Sequence, residues 1–186
     1  MTKINFKPGN MLYPLPCVLI SCGDINGISN IFTVAWTGTI CTNPPMVYIS
    51  VRPERYSYGI IKNSGEFVIN LTTKKLTWAT DYCGVRSGKN TDKWKDCHLT
   101  PIAADTVKCP MIQQSPVNIE CKVTEIKELG SHHMFMAEVT SVHADNKYID
   151  KNNSFHLNNA GLISYSHGSY LSINKELGTF GYSIHK

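Results

Sequence analysis

Several absences narrow what this chain can be. No apolar run approaches the roughly 20 residues that span a bilayer, so no membrane partner is expected. Charged residues are only 17% of the chain against 42% hydrophobic, the opposite of the balance that keeps a chain disordered. Lys and Arg total 18 and Asp and Glu 14, a formal charge of +4 with no basic block, so no nucleic-acid partner is expected. There is no Cys-x-x-Cys, and no Cys or His pair has ligand spacing beyond adjacent His132 and His133, so no metal is expected. No Gly-x-Gly-x-x-Gly follows a strand signal and no Gly-x-Ser-x-Gly occurs, which leaves a Rossmann nucleotide site and a nucleophile elbow unsupported. Gly84, Gly88 and Lys89 have a superficial P-loop look. Their spacing is one residue short, Asn90 stands where Ser or Thr belongs, and a helix signal precedes them.

What remains is a chain of 186 residues, enough for one full core, with no linker signal; residues 1–186 are expected to form one domain. Seven cysteines, at 17, 22, 41, 83, 97, 109 and 121, sit mostly in apolar segments, as buried thiols of a reducing compartment would. The segment Met1–Gly9 carries charge but no apolar core of signal-peptide length. The expected location is therefore the cytoplasm.

Strand signals dominate. They cover Pro16–Cys22, one long run Asn30–Cys41, Met46–Arg52, Glu66–Leu71, Val117–Lys127 and His132–Ala144, with Asn26-Gly27 and Gly130 as turns. Short helices are expected from Pro53 or Glu54 to Asn63 and from Lys74 to Cys83. Residues 86–115 read as irregular, and the segment after Lys151 carries no clear pattern. The expected class is mainly β: strands closing into a barrel, with a few short helices.

Two segments carry candidate chemistry. Read as one strand, Asn30–Cys41 places Thr33, Ala35, Thr37, Thr39 and Cys41 on one face and Val34, Trp36, Gly38 and Ile40 on a core face. The hydroxyl-rich face suits either a flat polar ligand or plain solvent. Next, Tyr48, Ser50 and Arg52 share a face, and a helix opening at Pro53 gathers Arg52, Arg55 and Ser57 at its N-terminus. Free N–H groups and the helix dipole favour a phosphate there, and Arg offers a matching fork of donors. An ordinary exposed helix end fits the same pattern. His132 and His133 point to opposite strand faces, so only one can enter a given site.

Taken in order, these pieces resemble the flavin reductase-like FMN-binding split barrels, and within them the flavoredoxin type. The resemblance rests on Asn30-x-x-Thr33-x-Ala35-Trp36-Thr37-Gly38, Asn43-Pro44-Pro45, Ser50-Val51-Arg52-Pro53-x-Arg55-Tyr56-Ser57, Gly65–Leu71, Cys83-Gly84-x-x-Ser87-Gly88, Asp92-Lys93-Trp94 and Gly130-Ser131-His132, across about residues 12–145. It implies an FMN-binding split β-barrel of Greek-key type. It assigns Asn30, Thr33, Trp36, Thr37, Gly38 and Thr39 to the ring and ribityl chain, and Ser50, Val51, Arg52, Arg55, Tyr56 and Ser57 to the phosphate region. Ser87, Gly88 and Lys93 would close the site, with Lys93 tuning the flavin and His132 beside the nicotinamide approach. Ser131 stands where Asp is usual, Ser57 where Thr is common and Trp94 where Phe is common.

The resemblance also implies a homodimer and an oxidoreductase passing electrons from NADH or NADPH through FMN to a flavin or another acceptor. Two alternatives stand beside it: an electron carrier serving redox protein partners, and a non-enzymatic barrel that binds flavin or another small ligand.

Overall fold

The computed structural model describes residues 1–184. Its strands are β1 (Leu15–Pro16), β2 (Val18–Gly23), β3 (Ser29–Val34), β4 (Thr37–Thr42), β5 (Pro45–Val51), β6 (Glu66–Leu71), β7 (Pro101–Ile102), β8 (Met111–Ile112), β9 (Val117–Leu129), β10 (His132–Ala144), β11 (Ile163–Ser166) and β12 (Ser169–Ser172). Its helices are α1 (Tyr56–Ser64), α2 (Thr77–Val85) and α3 (Lys93–Asp96). A seven-stranded antiparallel sheet runs in the order β3-β2-β6-β9-β10-β5-β4. The two edges, β3 and β4, are consecutive in the chain, so the sheet must curl until its ends meet. That closure is the split barrel, and the protein is mainly β as expected.

The barrel interior is filled by alternate residues of its strands, including Ile20, Ile49, Phe67 and Phe135, all fully buried. Helix α1 plugs one end by adding Tyr58 and Ile61 to this cluster. It stops at Gly65, whose φ of 69° supplies the left-handed cap that a side chain resists. A second cluster outside the barrel joins Leu19 and Ile31 to Leu76, Ala79, Cys83, Cys97 and Leu99, fixing α2 and the segment around α3 against β2 and β3.

One expectation fails here. Asn30–Cys41 is not one strand: β3 ends at Val34 and β4 starts at Thr37. Ala35 and Trp36 make a corner, where Thr37 N donates to Ala35 O and Ser50 N to Trp36 O. β3 pairs with β2, but β4 pairs with β5, so the chain changes partners and the side-chain alternation restarts. Trp36 and Ile40, expected in the core, are 39% and 44% exposed. The remaining differences are smaller. Helix α1 begins two residues beyond Glu54, and α2 runs through Gly84 after a 3-10 turn at Lys74–Leu76. Residues 86–115 contain α3, β7 and β8, and the C-terminal region adds the hairpin β11–β12, which pairs with β1.

Candidate functional site

The corner at Ala35–Trp36, the end of β5 and the start of α1 surround two adjoining clefts. The larger, about 650 Å³, is lined by Thr33, Trp36, Ser50, Val51, Arg52, Arg55 and His132 among others. The smaller, about 440 Å³, is lined by Asn30, Arg52, Arg55, Tyr56, Ser57, Ser87, Gly88 and Lys93 among others. Phe32, Arg52 and Arg55 border both. The two segments that sequence reading treated separately therefore meet across one continuous depression.

The smaller cleft gathers Arg52, Arg55, Arg86 and Lys93 against a single acidic residue, Glu54. Helix α1 has no side-chain cap and no acidic residue in its first turn. Tyr58 N donates to Arg55 O at 2.9 Å, leaving the N–H groups of Tyr56 and Ser57 without a helical partner, and the N-cap residue is Arg55, which adds positive charge where a capping acceptor is usual. Among the described residues, Arg52 is held only by Glu54, at 3.4 Å on the surface, and Arg55 Nη1 donates to Gly84 O at 3.3 Å. Arg86 lines the same cleft. Buried Ser57 receives a 2.7 Å hydrogen bond from Asn30 Nδ2, which fixes its hydroxyl beside the helix start. Gly88 is required at the opposite wall: a Cβ there would lie 2.0 Å from Asn30 Oδ1.

Lys93 lies deeper than a freely placed flavin contact would. Its side chain is buried, and Nζ donates to Ile31 O and Cys83 O, both at 2.8 Å. Burial pulls its pKa below the usual lysine value. Two carbonyl acceptors offset that loss of hydration, so Lys93 ties β3 to α2 at the edge of the cleft.

The larger cleft is aromatic at its rim. Trp36 stacks on His132, with centroids 5.9 Å apart and planes 15° from parallel. Ser131 Oγ lies 3.0 Å from His132 Nδ1, so serine provides a hydrogen-bonding partner where the resemblance led one to look for Asp. Burial first, then the positive charge of Arg52, lowers the His132 pKa, favouring the neutral ring. His133 points the other way and is hydrogen-bonded to Tyr58 at 2.8 Å, as the strand alternation required.

Three candidates line neither cleft. Thr37 is buried and its Oγ1 donates to Tyr48 O at 2.6 Å. Gly38 packs against the Tyr48 ring, which a Cβ would approach to 3.1 Å. Thr39 is exposed. All three follow the corner that resets the alternation. Thr33 lines the larger cleft, while its Oγ1 donates to Thr80 O. Sequence reading missed a further wall of the larger cleft made by Asp81, Tyr165 and Tyr170. Tyr170 Oη donates to Asp81 Oδ1 at 3.0 Å. The signal was Tyr165-Ser166-His167-Gly168-Ser169-Tyr170, two tyrosines flanking a His-Gly turn where both residues have positive φ.

The depression thus offers cationic groups and helix N–H donors at one end and flat aromatic and hydroxyl surfaces at the other. Comparison with known proteins gives the family and the fold. An uncharacterized protein of Archaeoglobus fulgidus is 31% identical over 137 residues, 72% of this chain and 75% of that one. Flavoredoxin of Desulfovibrio vulgaris (Miyazaki F) superposes with a TM-score of 0.90 at 26% identity, over 99% of this chain and 100% of that one. Flavoredoxin from Methanosarcina acetivorans has the same fold, with a TM-score of 0.88 at 24% identity and full coverage of both chains. The family model of the flavin reductase like domain matches residues 11–170, and the chain belongs to that family.

Proposed function

We propose that the protein binds FMN across the two clefts and works as an oxidoreductase, taking electrons from NADH or NADPH and passing them to a flavin or another acceptor. The uncapped, acid-free N-terminus of α1, flanked by Arg52 and Arg55, carries this reading. The residues present fit the cofactor. Arg52, Arg55, Ser57 and the first N–H groups of α1 would hold the phosphate, with Ser87 and Gly88 as the facing wall. Thr33, Trp36, Ser50 and His132, which line the larger cleft, would hold the ring. When bound, FMN would supply a ring that accepts a hydride and releases electrons.

The chain's own contribution is to hold, orient and polarise. Arg52 and Arg55 would fix the phosphate end by charge-assisted hydrogen bonds. Lys93, through Ile31 O and Cys83 O, keeps both walls in register and leaves a positive charge nearby. Neutral His132 presents an uncharged flat face to an incoming nicotinamide. Residues 1–186 would act as one domain and pair as a homodimer, and the free cysteines suit a reducing cytoplasm.

The superposition on a flavoredoxin over 99% of the chain favours a second reading, in which redox proteins replace nicotinamide as partners. Two measurements separate the possibilities. Purified protein should be yellow and release FMN on denaturation; a colourless protein that also fails to bind added FMN would contradict both readings. Stopped-flow mixing with NADH and NADPH should bleach the flavin within one turnover. Slow bleaching by both, with fast reduction by a ferredoxin, would select the carrier.

A further inference from the structure

All seven cysteines are free thiols. Among the described residues, Cys83 and Cys97 are the one pair in sulfur contact, with Sγ atoms 3.7 Å apart and the residues 14 positions apart in sequence. Cys83 belongs to the last turn of α2 and borders the smaller cleft, while Cys97 directly follows α3. Both face the apolar cluster that fixes these elements to the barrel. A disulfide needs the sulfurs at about 2.05 Å, so they must approach by under 2 Å through side-chain rotation and backbone adjustment. The four-residue α3 and its flanking loops are better placed to yield than a paired strand. The segment between the two cysteines, residues 84–96, contains Ser87, Gly88 and Lys93, which wall the smaller cleft. Lys93 also bonds the Cys83 carbonyl. Burial, the largest influence on each thiol, raises both pKa values and protects the resting dithiol, while the Lys93 ammonium favours each thiolate.

We propose that Cys83 and Cys97 are a redox-convertible pair, oxidised by hydrogen peroxide or another hydroperoxide to a disulfide that staples the base of segment 84–96. Cys97 is the better exposed, at 8% against 1% for Cys83, and reacts first. Its sulfur attacks one peroxide oxygen, the O–O bond breaks, water leaves (an alcohol, where the oxidant is an organic hydroperoxide) and Cys97 becomes a sulfenic acid. The Cys83 sulfur then displaces the hydroxyl, the S–S bond forms and a water leaves. The two thiols lose two electrons and the peroxide gains two. A small dithiol reverses the step by exchange. None of this depends on which ligand fills the cleft.

The test treats the native full-length chain with hydrogen peroxide and maps its peptides without reduction. The expected product has five of the seven thiols left, the mass of two hydrogens lost and a peptide joining Cys83 to Cys97. Amide exchange across 84–96 should slow about tenfold and recover with dithiothreitol. In Cys97→Ser the cross-link and the slowing should both vanish; if that variant misfolds, the wild-type peptide map decides alone. Cys83 and Cys97 remaining thiols while Cys41 oxidises would overturn the proposal. So would sulfinic acid at either position, or a cross-link seen only in urea.

Discussion

Two polar regions of this barrel are built on opposite terms. On one side, Glu120 of β9 is fully buried and completely answered within the chain. Its Oε1 accepts from Asp105 N at 2.8 Å and His143 Nε2 at 2.6 Å, and its Oε2 from Thr106 N and Thr106 Oγ1, both at 2.6 Å. Asn70 is similar: its amide donates to Leu19 O and accepts from Ile112 N and Asn118 Nδ2. On the other side, the α1 N-terminus, Arg52 and Arg55 have only sparse, exposed partners. Buried polar groups must be satisfied wherever water is excluded. Groups left open around a cleft have their partners to come from outside. The first region specifies the fold, and the second is the one that the proposed function assigns to a ligand.

The sharpest way to break this division is at Glu120. Glu120→Gln should destabilise the protein by about 3 kcal/mol in urea unfolding while leaving flavin affinity within about twofold. A large loss of affinity with intact stability would dissolve the distinction. The same carboxylate gives a pH signature. Burial alone would raise its pKa, but the hydrogen bonds from Thr106, Asp105 and His143 outweigh that and hold it at about 2. Its folded value lies below the ordinary 4.5, so its stabilisation is present above that pH and is lost as pH falls toward 2. The acid limb of a stability profile should flatten in the Gln variant.

Gly88→Ala probes the cleft wall. Its Cβ would meet Asn30 Oδ1 at 2.0 Å and turn that side chain off Ser57. A loss of about 1–2 kcal/mol in flavin binding, larger than the loss in stability, is expected from titration against urea melts. The smallest effect concerns His132. Its pKa is lowered on folding, so the stability linked to it is present above the unfolded value and declines as pH falls below about 6.5. The urea midpoint of His132→Gln should be flatter than wild type between pH 7 and 5.5. An identical slope would remove the assigned cause.

The legible parts of the molecule were those governed by local signals. Pro53 after an alternating strand located the Arg52–Ser57 turn, and Gly130 located the long hairpin. The corner at Ala35–Trp36 was illegible because β-branched residues on both sides read as one strand, while the switch from β2 to β5 as partner is a tertiary event. Thr37, Gly38 and Thr39 were misplaced for that reason. Glu120 and His143 meet across a hairpin with register shifts at Met136/Ala137 and Val139/Ser141, and no sequence spacing encodes such an offset. The tyrosine wall depends on β11 pairing with β1, about 150 residues away along the chain.

The most direct test of the proposed ligand-binding end compares FMN with riboflavin, which lacks only the phosphate, in wild type and in the double variant Arg52→Ala/Arg55→Ala. Fluorescence titration should show wild type preferring FMN by about 100-fold. In the variant that preference should collapse to a few-fold, with riboflavin affinity nearly unchanged. Equal affinity for the two flavins in wild type, or a preference that survives loss of both arginines, would contradict the account.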